Sequence, residues 1–200
     1  MHNNPLDPFL TPPLEYMRAS FGKRFVAFLI DMLIMFLAAS VVAVFLFSSG
    51  FSLSLLPPEE LSTIRDIYSR ANIDSEATET IIGIVSAYSV SSIIIALIYM
   101  GIEATTAASP GKRVMGMVVT RISGQAADSA LWTRRVIVKY LSTILGIFSH
   151  FPSLDWLGHI GLFYLILFYI GCLFALGDER LALHDRILQT AVMPKEDVQP

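Results

Sequence analysis

An aspartate stands inside the first long apolar run of this 200-residue chain, where an acid is costly. Asp31 follows Arg24 by seven residues. Seven residues make two helical turns and about 10.5 Å of rise, so both side chains share a face if the run is one helix. With Arg24 at the lipid headgroups, Asp31 lies about a third of the way into a hydrocarbon layer roughly 30 Å thick. An ionised carboxylate at that depth costs on the order of 2.5–3.5 kcal/mol on insertion scales. It must face protein or water, and either meet a cation or take up a proton. Two chemistries fit: a proton or monovalent-cation site, and a buried Arg–Asp lock that holds helices together.

The other candidates are weaker as chemistry. Asp185 sits in His184-Asp185-Arg186, which by itself reads as a solvated charge run. His184 with Asp178 and Glu179 lacks a diagnostic metal spacing, so no metal and no cofactor is expected. Ser109-Pro110-Gly111-Lys112-Arg113 resembles a phosphate loop only superficially. It lacks a glycine five positions before Gly111 and a Ser or Thr after Lys112. A tight turn at Pro110-Gly111, followed by two cations at the lipid headgroups, explains it better. His159, in an apolar block, reads as a hydrogen-bonded packing residue. No Ser/His/Asp or Cys/His constellation appears, and no enzyme is expected.

The elements that must position Asp31 are membrane spans. Hydrophobic residues make up 54% of the chain and charged ones 16%, against about 25% charged in soluble domains. Four blocks approach the roughly 20 apolar residues that a spanning helix needs: about 25–47, 80–102, 136–151 and 156–176. The third is shorter and holds Lys139, which can snorkel to the interface. Gly83, Ser86, Ala87 and Ser91 in the second block, with Gly158 and Gly161 in the fourth, suit close helix contact.

Orientation follows from Lys and Arg. Three lie in 1–24, six in 103–139 and three in 178–200, against two in 48–79 and none in 152–156. The basic set is read as cytoplasmic, in a bacterial-type inner membrane with both ends inside. The first twenty residues carry four prolines and no apolar core, so an uncleaved first anchor is expected. Residues 1–17 read as a flexible tail, 18–192 as the transmembrane domain and 193–200 as a cytoplasmic tail. Pro57-Pro58-Glu59-Glu60 starts a short amphipathic helix in the outer loop. Val114, Met115, Met117, Val118 and Val119 followed by Ser123-Gly124 predict a short strand or hairpin at the inner interface. Asp128-Ser129 should cap the third helix. The net charge of −3 gives no indication of a nucleic-acid partner, and Cys172 alone excludes an internal disulfide.

These residues resemble the RDD family of small membrane proteins. The pattern opens with Lys23-Arg24-Phe25-x-Ala27-x-x-Ile30-Asp31. It continues with Glu103, then Ser109-Pro110-Gly111-Lys112-Arg113-x-x-Gly116-Met117-x-Val119. It closes with His184-Asp185 and Thr190-x-Val192. The resemblance implies that Arg24, Asp31 and Asp185 are the name-giving arginine and aspartates. The long 48–79 loop departs from the pattern. Some members of the family look like cation/proton antiporters and others like scaffold subunits of membrane complexes. The expected fold is therefore an all-α membrane bundle of about four spans with an interfacial inner loop. The expected function is a cation/proton transporter or ion-coupling protein, or else a non-enzymatic scaffold. The lipid bilayer, a second copy or other membrane proteins are the partners to expect.

Overall fold

The computed structural model describes residues 17–51, 58–151 and 153–198. Pro57 and most of the 1–17 tail lie outside the described residues. Among the described residues, three helices are long and apolar enough to cross a membrane. Helix α1 runs Phe21–Ser48, α3 runs Ser75–Thr106, and α7 runs Trp156–Cys172 with a 3-10 continuation Leu173–Leu176. Their large apolar side chains point outward; Val41 and Phe45 are each 71% exposed. In water that surface would be unstable, and in lipid it is solvated.

The third apolar block does not form one long helix. It is divided between α5, Ser129–Lys139, and α6, Leu141–Phe148, with a break at Tyr140. Asp128 caps α5 by accepting from the Leu131 N–H at 2.8 Å. The charged α5 is amphipathic, so it favours a surface. The eight residues of α6 rise only about 12 Å. Helix α6 packs along α7, where Gly161 lies against the Ser142 carbonyl and Leu145. The Tyr164 hydroxyl of α7 donates to the Val138 carbonyl at 2.5 Å.

The chain divides into two compact units. One is Met32–Tyr99, which holds most of α1 and α3 and the outer helix α2, Pro58–Arg70. There Ile64, Ile67 and Tyr68 of α2 lie over Ile81, Ile82 and Val85 of α3, as the helical spacing of the outer loop requires. Phe47 packs on Gly83.

The other unit joins the start of α1 to residues 100–198. After α3 comes α4, Pro110–Val114. Gly116, at φ +65°, takes the left-handed conformation that ends this turn of helix and feeds strand β1, Met117–Arg121. The expected strand is present, but its main partner is not local. It pairs antiparallel with β2, Thr190–Pro194, in the register Met117↔Pro194 to Arg121↔Thr190. Only a single bridge, Thr120↔Ala126, closes the neighbouring turn. Between α7 and β2 lies α8, Leu183–Ile187. A small core of Ala19, Ala27, Met117, Val119 and Val192 holds the sheet against the start of α1. The Ala19 N–H donates to the Val192 carbonyl at 2.8 Å. The strand, the tail and the leader are thus one structure.

Candidate functional site: a buried charge network

Helix α1 begins at a polar floor formed by the tail. Arg24 turns its guanidinium there. Its Nη1 meets Asp185 at 2.8 Å, its Nη2 donates to the Arg180 carbonyl at 2.7 Å, and its Nε donates to the Ala19 carbonyl at 3.0 Å. Asp31 faces a different element. Its Oδ2 accepts from the Ser109 hydroxyl at 2.5 Å and its Oδ1 from the Gly111 N–H at 2.6 Å. Arg24 and Asp31 share a helix, but Arg24 spends its donors on Asp185 and two backbone carbonyls. Asp31 instead ties α1 to Ser109 and to Gly111 in the first turn of α4.

That tie explains the motif around Gly111. A methyl group at Gly111 would overlap the Ala27 carbonyl oxygen and stand 2.8 Å from the Asp31 carboxyl. Only hydrogen allows the α4 backbone to reach α1 this closely. Pro110 at the first helical position presets the turn.

Asp185 is the most enclosed charge, with no exposed surface. Besides Arg24, it accepts from Arg135 Nη2 at 2.7 Å and Nε at 3.2 Å, and from the Thr190 hydroxyl at 3.1 Å. Burial alone would raise its carboxyl. Arg135 above all, with His184 and Arg24, outweighs burial and holds it well below the carboxylate range. His184 stacks on Phe168 with ring centroids 4.9 Å apart. Burial pushes this imidazole down to about 3, against the pull of Asp185. Its Nε2 lies 3.3 Å from Arg135 Nη2 and, in a neutral ring, serves as the acceptor.

Glu103 is the second enclosed acid, at 3% exposure. Lys112 Nζ reaches it at 2.6 Å, Lys139 Nζ at 2.5 Å and Arg135 Nη1 at 3.7 Å. The Tyr140 hydroxyl donates to it at 3.2 Å. Arg135 therefore bridges the two acids, and one network runs from Arg24 through Asp185, Arg135 and Glu103 to Lys112 and Lys139.

The family signature is thus placed as follows. Arg24 and Asp185 meet directly, Glu103 and Lys112 meet directly, and Thr190 joins Asp185. Asp31 holds Gly111, and Arg113 is exposed. Lys112 was expected beside Arg113 at the headgroups, yet it turns inward to Glu103. Lys139 is expected at the interface and Arg135 counts only toward the basic inner loop, yet the network centres on them. One signal could have found them: they stand four apart, on one face of α5. His159 is exposed and outside the network.

The model of the RDD family matches residues 18–189, which takes in every charged member of this network. The chain belongs to the RDD family. No curated protein and no solved structure matches it. Arg24, Asp31, Glu103, Lys112, Asp185 and Thr190 of the signature, scattered over the sequence of this RDD protein, are brought together by salt bridges and hydrogen bonds. It is a multi-pass membrane protein by its family and its apolar helices.

Proposed function

We propose that this RDD protein is a non-enzymatic scaffold or assembly subunit of a membrane complex. One observation carries the reading: every oxygen of Asp31, Glu103 and Asp185 already accepts from a donor of the chain itself. A cation site needs oxygens free to replace the ion's water shell. Here the carboxylates are spent on fastening the leader, the inner loop and the tail together.

A second reading, proton or cation transport at Asp31, is favoured by one feature. The Ser109 hydroxyl can donate or accept, so it suits Asp31 in either protonation state. Reconstituted liposomes decide between the two. Proton, sodium and potassium fluxes of the wild type are expected to match empty vesicles. Flux present in the wild type and lost in Asp31→Asn would overturn the scaffold reading.

We also propose four membrane passes with the network on the cytoplasmic side of the inner membrane. The three basic segments touch one another, so they share a side, and the Lys/Arg bias makes that side internal. Helix α7 crosses, so residues 140–155 must first carry the chain outward. They do so through the short α6. Single cysteines at His150 and Ser153, in a Cys172→Ala background, should react with an impermeant maleimide from outside whole spheroplasts. Labelling only after lysis would exclude this topology.

A further inference from the structure

The network holds more cations than acids. Arg24, Arg135, Lys112 and Lys139 converge on Asp185 and Glu103, and Asp31 joins through the Gly111 N–H. Among the described residues, four cations thus stand against three carboxylates, and the surplus is largely buried. Uncompensated buried charge is costly, and a group that can shed a proton does so. Arg24 and Arg135 cannot, because a guanidinium stays charged in proteins. Lys139 has the Tyr140 ring 4.7 Å from its ammonium, a contact that favours the charged form. Its side chain is also 24% exposed, against 13% for Lys112. That leaves Lys112.

We infer that Lys112 is the proton-binding group of this network, giving up and taking back a proton against Glu103 while the charges around it stay fixed. The groups that act on it are Glu103 from α3, Arg135 and Lys139 from α5, and His184 from α8, while Tyr140 shares Glu103 with it. Asp31 lies across the Gly111 backbone from α1. Burial first, then Lys139 and Arg135, outweigh the pull of Glu103 and bring the ammonium down to about 8. Uptake and release then fall close to physiological pH. The inference holds whether the protein scaffolds or transports.

Competitive acetylation of the full chain in liposomes, read by mass spectrometry from pH 6 to 11, tests it. Lys112 reactivity should climb about tenfold per pH unit and level off near pH 8. A blocked free lysine added as an internal standard should level off only near the ordinary lysine value of about 10.4. A Lys112 curve that coincides with the standard would overturn the assignment. A second measurement decides if Lys112 is too enclosed to acetylate. Unfolding midpoints of wild type and Lys112→Met are compared from pH 7 to 10.5. Between about 8 and 10.5 the unfolded chain binds more protons at this lysine than the folded one, so the wild type should gain stability relative to the variant as pH rises. A constant difference across that range would sink the proposal.

Discussion

Replacement of Asp185 by alanine is expected to cost about 3–5 kcal/mol of stability, the usual loss when one partner of a buried ion pair is removed. Arg135 and Arg24 would be left facing each other in the interior, and Thr190 would lose its acceptor. This one carboxylate bridges α1, α5 and the tail, beside the links through backbone carbonyls of Ala19 to Val192 and Arg24 to Arg180. The loss should appear as a lowered unfolding midpoint in detergent and as protease cleavage in the 177–198 segment. Asp185→Asn keeps the shape and one acceptor oxygen but not the charge, so it should fall between wild type and alanine. A full-strength alanine variant would mean that the network contributes nothing to the fold.

The same residue carries a pH dependence with a definite sign. Its carboxyl is held below the ordinary range when folded. The stabilisation is therefore complete above the unfolded value of about 3.9 and is lost as pH falls through the lower folded value. Asp185 should make no contribution to any weakening between pH 7 and 5. Below about pH 4 the wild type should lose its advantage over Asp185→Asn.

Gly111→Ala is expected to be nearly as damaging, although it adds one methyl group. The new carbon would collide with a backbone carbonyl, Ala27 O, which cannot rotate away. Overpacking costs about 1–3 kcal/mol. The displaced Gly111 N–H also loses its bond to Asp31, and a bond to a charged group contributes about 1.5–3 kcal/mol. The built-in control is Gly146→Ala in α6, where the added carbon meets nothing within 4 Å. Alanine there should be neutral or slightly stabilising, because it favours helix over glycine. Thermal midpoints of the two variants, purified side by side, make the comparison. Equal midpoints would show that α4 does not approach α1 as closely as 2.8 Å from the Asp31 carboxyl implies.

The chain's apolar blocks and its lysine and arginine bias were legible without any structure, because lipid imposes its rules locally. A span is about 20 consecutive apolar residues, and a cap such as Asp128 acts on the next turn. The α2 helix, the α5 cap, the strand after Lys112 and the turn at Pro110-Gly111 belong to this class. The partners of the charges were not legible. Arg24 lies 161 positions from Asp185, Lys139 36 positions from Glu103, and Ser109 78 positions from Asp31. Helical periodicity joined Arg24 to Asp31, yet the two side chains bind different elements. It could not see that the tail returns to the start of α1 with a better partner. The division of 136–151 at Tyr140 has the same origin. Local hydropathy favours one helix, while in the fold the break falls where Lys139 and Tyr140 both donate to Glu103. Composition alone settled that this chain lives in a membrane. Only the folded chain decides which charge answers which, since electrostatic pairing inside a protein depends on distance in space and not along the sequence.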